Sequence, residues 1–204
     1  MAFLRSPLPE DYLEPISGLS VTLRPPAMSD YARWAELRSL SRPHLQPWEP
    51  LWSRDELTRF SYRRRLKAYG QDMRDDHGYY FFVTDRITDT LLGGMTLSNV
   101  RRGAAQIATL GYWMGQPFTR RGYMREAVGL VVPFAFRSLR LHRLEAASMP
   151  ANVASQAVLE KSGFRREGMA QGYLKIAGVW QDHYIYGLTE EDAAVKGLMR
   201  GNLP

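Results

Sequence analysis

The chain contains no cysteine in its 204 residues. That absence excludes a disulfide framework, a thiol nucleophile and any cysteine-based metal site. Histidine is scarce too: His44, His77, His142 and His183 are scattered without the spacing of a ligand set, so no metal is expected. No apolar run reaches the length that a membrane-spanning helix needs. The opening residues Met1-Ala2-Phe3-Leu4-Arg5-Ser6-Pro7 lack the apolar stretch of a secretion signal. The expectation is a cytoplasmic, metal-free protein. Repeats, low-complexity tracts and linkers are missing as well. Residues 1–18, with their prolines and glycine, read as an irregular N-terminal arm. Residues 19–204 read as one domain, long enough for one sizeable core.

What is abundant is positive charge. Lys and Arg number 27 against 21 Asp and Glu, a net charge of +6 and an isoelectric point near 9.7, which biases the chain towards anionic partners. Part of the excess lies in Arg63-Arg64-Arg65 with Lys67. This run falls in a helix expected to begin at Ser53, with Ser53 and Glu56 forming a capping box and Leu57 and Phe60 facing inward. Such a run is either a solvated face or an electrostatic contact for RNA, a ribosomal particle or an acidic protein. No nucleic-acid module is recognisable, so direct sequence-specific binding is not expected.

Periodicity and turn chemistry give the order of elements. Leu19–Leu23 reads as the first strand, and Ser29 as the cap of a helix through Leu40. Arg42–Trp52 reads as an irregular loop because of its prolines. Strands follow at Tyr79–Thr84, Leu91–Val100 and Gln106–Met114. A helix is expected from Tyr123 to Leu139, with Val128, Val131 and Val132 inward and a kink at Pro133. Leu141–Ser148 is a strand. Asn152 caps the next helix, which Gly163 ends in the left-handed conformation. Phe164, Tyr173–Ile176 and Val179–Leu188 complete the sheet, the last two joined as a hairpin at Ala177-Gly178. Thr189 caps a short final helix. This order predicts an α+β fold.

The segment Thr119-Arg120-Arg121-Gly122-Tyr123-Met124 stands between a strand and a helix. The first N–H groups of a helix have no partner within it, and its dipole puts partial positive charge there. Gly122 allows close approach and two arginines add charge, so a pyrophosphate fits the place. An ordinary turn with two solvated arginines reads equally well from these six residues alone.

Four blocks carry a resemblance: Arg42–Pro50 (RPHLQPWEP), Leu110–Glu126 (LGYWMGQPFTRRGYMRE), Leu141–Gly168 (LHRLEAASMPANVASQAVLEKSGFRREG) and Tyr173–His183 (YLKIAGVWQDH). Together they resemble the GNAT superfamily of acetyl-CoA-dependent N-acetyltransferases. Within it they look like the RimJ/RimL type of ribosomal-protein-alanine acetyltransferases, the RimJ-like members above all. The likeness runs over roughly residues 19–190. It implies a mixed, mostly antiparallel central sheet flanked by helices, with a splay between the two central strands. It also implies acetyl-CoA as co-substrate, with no metal.

By this resemblance the cofactor lies against Trp113, Met114, Thr119, Arg120, Arg121, Gly122, Tyr123, Met124, Asn152 and Ser155. Thr119 and Met124 depart from the family's pyrophosphate pattern, and Met124 is expected to narrow the space there. Ser155 is the candidate proton donor to the departing thiolate, and a backbone N–H near Trp113–Met114 the oxyanion donor. Glu145 is the candidate base, with pairing to Arg143 or Arg165 as its alternative. Leu174 stands where the RimL-like members carry their base. Trp48, Tyr173, Trp180 and Asp182 are expected at the peptide-accepting end, although Asp182 reads equally as a hairpin pin and Trp180 as core. The implied reaction is direct acetyl transfer to a protein N-terminus, with an alanine-starting ribosomal protein as partner. A small-amine or antibiotic acetyltransferase and a non-catalytic ribosome-associated factor are the alternatives. The oligomeric state stays open.

Overall fold

The computed structural model describes residues 13–200. Eight strands form one sheet in the order β1-β2-β3-β4-β5-β6-β8-β7. They are β1 (Ile16–Ser17), β2 (Val21–Arg24), β3 (Tyr79–Asp85), β4 (Leu91–Arg101), β5 (Ile107–Met114), β6 (Arg143–Ser148), β7 (Arg165–Ile176) and β8 (Val179–Thr189). The helices are α1 (Tyr31–Leu40), α2 (Arg42–Leu45), α3 (Arg59–Arg74), α4 (Tyr123–Pro133), α5 (Val153–Lys161) and α6 (Glu190–Val195). Every neighbouring pair is antiparallel except β5 and β6, which run parallel and are joined through α4, as a parallel pair requires a crossover. The sheet is therefore mixed and mostly antiparallel, as the resemblance implied.

Alternation along β3 assigns its two faces. Tyr79, Phe81 and Val83 join Val128, Val131 and Val132 of α4 in the main core. Phe82 points the other way, into a second cluster with Trp34, Leu37 and Tyr62 of α1 and α3. Asn152 caps α5 as expected, its Oδ1 accepting from Ser155 N at 3.1 Å. Gly163 follows with φ 92°, and Thr189 caps α6 by accepting from Asp192 N at 3.2 Å. The β7–β8 turn has Ala177 at φ 48° and Gly178 at φ 87°, the double left-handed geometry that matches strand twist.

Several boundaries differ from the sequence reading. Residues 1–12 of the expected arm lie outside the described residues, and Ile16–Ser17 of its remainder pairs with Thr22 and Leu23. The strand expected from Leu19 starts at Val21. Ser29 is not a cap; it lies in a 3-10 turn over Met28–Asp30 that leads into α1. The loop at Arg42–Trp52 holds α2 and a 3-10 turn at Gln46–Trp48, because Pro43 and Pro47 occupy first-turn positions where a missing N–H costs nothing. The helix expected from Ser53 starts only after Thr58, whose Oγ1 accepts from Ser61 N at 3.2 Å. Ser53 Oγ instead donates to Asp55 at 2.7 Å. Along this helix Tyr62 and Leu66 pack in the second cluster and Met73 against the first, while Phe60 is exposed. α4 ends at Pro133, and a π-turn over Phe134–Ser138 follows, since proline has no N–H for the carbonyl of Gly129. Phe134 and Phe136 are buried by that turn. β7 begins at Arg165 rather than Tyr173 and bulges between Ala170 and Leu174.

One buried carboxylate joins β2, α1 and the β3–β4 turn. Asp30 is wholly buried and accepts from Arg24 at 2.8 and 2.9 Å, from Ala27 N at 2.8 Å and from Arg33. Both arginines also reach Asp89. Burial pushes the Asp30 carboxyl up, but the hydrogen bonds from Arg24, Ala27 and Arg33 outweigh it and hold the group below its ordinary value. Its stabilisation is therefore complete above the unfolded-state pKa of about 3.9 and fades as pH falls through the lower native value. Asp30→Asn should cost about 3 kcal/mol or more at neutral pH. The gap from wild type in urea midpoints should shrink below about pH 4; a gap independent of pH would refute this account.

Candidate active site

The site begins where the central pair of strands stops pairing. Ile107, Ala108 and Thr109 of β5 stand opposite Arg143, Leu144 and Glu145 of β6, and the register ends there. From Leu110 to Met114, β5 keeps only β4; from Ala146 to Ser148, β6 keeps only β8. A wedge opens between them, bounded by α4 and α5.

On the α5 side Tyr112 bridges this wedge. Its hydroxyl lies 3.0 Å from Ser155 Oγ and donates to Ser155 O at 3.1 Å. Burial pushes the Tyr112 phenol well above its usual range, so it stays a proton-bearing donor at neutral pH. The β6–α5 turn is fixed by Gln156, whose Nε2 donates to Met149 O at 3.1 Å and Pro150 O at 2.8 Å. Sequence reasoning singled out Ser155 and missed Tyr112. The aromatic run after Gly111 was visible, but no local spacing ties residue 112 to residue 155.

Beyond β5 the chain makes a 3-10 turn, Gln116–Phe118, anchored by Gln116 N on the buried Ser41 Oγ at 2.9 Å. Arg120 and Gly122 then adopt φ values of 62° and 84°, and α4 starts without a side-chain cap. Arg120, Arg121 and Gly122 are exposed, and a Cβ at Gly122 would meet nothing within 4 Å. The first-turn carboxylate, Glu126, is turned away to Ser20 N at 2.7 Å and Val21 N at 3.3 Å. Open space, unpaired amides and two cations make an anion cradle. Thr119 spends its hydroxyl on Gln116 O at 3.0 Å. Met124 turns into the core, where it is 7% exposed, so it does not narrow the cradle as expected.

The opposite face of the sheet holds a cavity of about 470 Å³ whose lining includes Trp34, Arg38, Glu49, Trp52, Tyr80 and Trp113. Trp113 lies against Gly94, where a Cβ would collide with its indole. The four residues expected at the acceptor end do not line this cavity. Trp48 is half-buried in the 3-10 turn, and Tyr173 is exposed on β7 with its ring 5.8 Å from that of His183. Trp180 and Asp182 border a second hollow of about 370 Å³ with Met149, Pro150 and Ala151. Trp180 is 64% exposed, which rules out the core alternative. Asp182 accepts from Gly172 N at 2.7 Å, so it pins the bulge of the hairpin.

Glu145 sits at the closed end of the wedge and accepts from Arg143 Nε at 3.1 Å, with Arg101 Nη2 at 4.0 Å. Of its two expected alternative partners the structure selects Arg143; Arg165 pairs with Asp192. The cavity lining does not include Glu145. Among the described residues no cluster of His, Asp and Glu has the form of a metal site, and no helix is long and apolar enough to cross a membrane.

Residues 20–165 match the family model of the acetyltransferase (GNAT) domain, and the chain belongs to that family. It is 36% identical over 177 residues to Probable N-acetyltransferase YjcK of Bacillus subtilis, covering 87% of this chain and 98% of that protein. It is 32% identical to the [Ribosomal protein uS5]-alanine N-acetyltransferase of Escherichia coli, covering 80% and 84% respectively. The solved structure of Mycobacterium smegmatis RimJ in complex with CoA-disulfide superposes with a TM-score of 0.80 at 31% identity, over 87% of this chain and 89% of that one. The protein is thus an acetyl-CoA-dependent N-acetyltransferase, related to the RimJ/RimL ribosomal-protein-alanine enzymes.

The cradle makes a direct prediction. A residue with a Cβ at Gly122 meets no atom, so its cost is the strained φ alone, about 1–2 kcal/mol. Gly122→Val should fold and yet bind acetyl-CoA at least about tenfold more weakly, a loss of about 1.4 kcal/mol. Calorimetry giving wild-type affinity for a folded variant would move the pyrophosphate elsewhere.

Proposed function

We propose that this enzyme transfers acetyl from acetyl-CoA directly to the N-terminal α-amine of an alanine-starting protein, a ribosomal protein in the first instance, in the cytoplasm. The observation that carries this reading is the division of labour between two consecutive residues of β5. Neighbouring side chains on a strand point to opposite faces. The hydroxyl of Tyr112 meets Ser155 on one face, and the indole of Trp113 lines the aromatic cavity on the other. A thioester laid along the free edge of β5 then has its sulfur towards Ser155 and its carbonyl carbon towards the cavity.

The chemistry follows from that placement. An α-amine has a pKa of about 7.7–8.0, so water can take its proton near neutral pH without a dedicated base. The free amine attacks the carbonyl carbon, and the oxyanion forms against a main-chain N–H at the free end of β5, near Trp113 and Met114. Collapse breaks the carbon–sulfur bond. Ser155 gives its proton to the leaving thiolate while the Tyr112 hydroxyl holds its Oγ at 3.0 Å, and the proton shed by the attacking nitrogen returns through water to Ser155. The phosphates rest on Arg120, Arg121 and the amides at the start of α4, and Asn152 holds α5 in place. Support for a protein acceptor comes from the relatedness to the uS5-alanine enzyme and from the RimJ-like blocks.

Two measurements follow. Ser155→Ala and Tyr112→Phe should each lower kcat by roughly tenfold or more with little change in the acetyl-CoA KM, as expected when a proton donor is lost. Unchanged kcat in both would remove this pair from the chemistry. For the acceptor, thiol release is compared among peptides beginning with Ala, Ser, Leu and acetyl-Ala. The Ala peptide should be fastest and the acetylated peptide silent. Faster transfer to a lysine side chain of the acetyl-Ala peptide overturns the N-terminal reading. Turnover confined to small amines supports an antibiotic or polyamine acceptor instead, and CoA binding without any turnover supports a non-catalytic factor.

A further inference from the structure

The cavity carries its own counter-charge for an amine. Glu49 follows the 3-10 turn at Gln46–Trp48, and each of its carboxylate oxygens accepts from one terminal nitrogen of Arg38 at 2.6 Å. Trp52 Nε1 donates to Oε2 at 2.7 Å, and the main-chain oxygen of Glu49 accepts from Ala177 N at 2.9 Å. The residue is thus held by α1, by its own loop and by the tip of the β7–β8 hairpin. Arg38 lies between two indoles, 4.4 Å from the Trp52 ring centre and 4.9 Å from that of Trp113. Its side chain is 8% exposed, against 21% for Glu49. Both line the cavity, and the carboxylate is the more exposed member of the pair.

The carboxylate has capacity left. Each oxygen of an ionised carboxylate offers about two acceptor sites, and Oε1 uses one. The second acidic group of the lining, Glu56, pairs with Arg65, and there the cation is the more exposed partner, 34% against 21%. In the Glu49–Arg38 pair the carboxylate is thus the more exposed partner, and in the Glu56–Arg65 pair the guanidinium is.

We propose that Glu49 binds the α-ammonium of the acceptor and so places it at the Trp113 end of the cavity before its proton is lost. This rests on the acetyl-transfer reading above and adds to it the residue that selects a charged, unblocked amine. With both oxygens already bonded to Arg38, Glu49 anchors the amine and leaves proton removal to water. Its effect therefore falls on acceptor binding and not on the chemical step.

The experiment measures steady-state turnover together with calorimetric binding of an Ala-starting peptide and its acetyl-Ala counterpart to the CoA-bound protein. Wild type should bind the free peptide at least about tenfold better than the blocked one, the scale of a hydrogen bond to a charged group. Glu49→Gln should abolish that discrimination and raise the peptide KM by a similar factor, with kcat and the acetyl-CoA KM within about twofold of wild type. Because that variant leaves Arg38 buried without its partner, Arg38→Met with Glu49→Gln is tested beside it and should show the same loss. A folded double variant that keeps the wild-type preference for the free amine overturns the proposal. So does a fall in kcat at unchanged peptide KM. Wild type binding both peptides alike overturns the role of Glu49 whatever its turnover. Absent turnover with discrimination intact overturns only the N-terminal acetylation reading.

Discussion

Strands β5 and β6 pair in parallel over three residues and then part, while each keeps a longer antiparallel partnership on its outer side. β6 holds β8 from Arg143 to Ser148, and β5 holds β4 along almost its whole length. The outer ladders supply the backbone hydrogen bonds that make each strand secure, so the inner edges can be left unpaired without loss of the sheet. Unpaired strand edges are normally a hazard that proteins cover. Here the exposed edge is short, it is flanked by α4 and α5, and the Tyr112–Ser155 bond spans it. The opening is a stable feature of the fold and needs no strained segment to hold it.

The same strand then couples the two halves of the site. Gly115, directly after β5, is packed against Leu37, and Gln116 N is anchored on Ser41 between α1 and α2. α1 also carries Trp34 and Arg38 of the cavity. The turn that leads to the start of α4 and the helix that walls the cavity are therefore one mechanical unit. On the function proposed above, packing would then set the two substrates relative to each other, and proximity of that kind is a large share of what a direct-transfer enzyme must provide.

Features written by local chemistry were legible in the sequence. Asn152 with Gly163, Ala177 with Gly178, and Thr189 each place a cap or turn through side-chain or φ preferences that act within a few residues. The expected start at Ser53 with Glu56 lost to one at Thr58, whose hydroxyl accepts from Ser61 N. Past Thr58 the stripe Tyr62, Leu66 and Met73 packs against the two clusters, a tertiary fact that a local capping pattern does not record. The anion cradle was readable because strand, basic turn and helix are contiguous. Met124 was misread because one residue past a helix start can face either the ligand or the core, and the core claimed it. Tyr112 with Ser155 and Glu49 with Arg38 join residues 43 and 11 positions apart on different elements, and no periodicity records such a pair. Trp48 and Trp52 share one loop; the 3-10 turn takes in Trp48, and Trp52 is the one that lines the cavity, its indole donating to Glu49.

The arginine run of α3 acquires a sharper meaning from where its members point. Arg65 turns inward to Glu56 and lies over the Trp34 ring, while Arg59, Arg63, Arg64 and Lys67 remain exposed on the outer side of the helix. Tyr62, Arg65 and Tyr69 of that helix line the cavity, so the exposed cations of the same helix lie beside its wall. A field of this sign draws an anionic body towards the cavity and repels a free polycation, with a reach limited by salt to about 8–10 Å. A polyamine or an aminoglycoside is cationic throughout, and it meets repulsion before it reaches Glu49. A chain end with one ammonium on an otherwise anionic body meets attraction at both stages. The electrostatics outside the cavity and the carboxylate within it thus lend support to the acceptor proposed above.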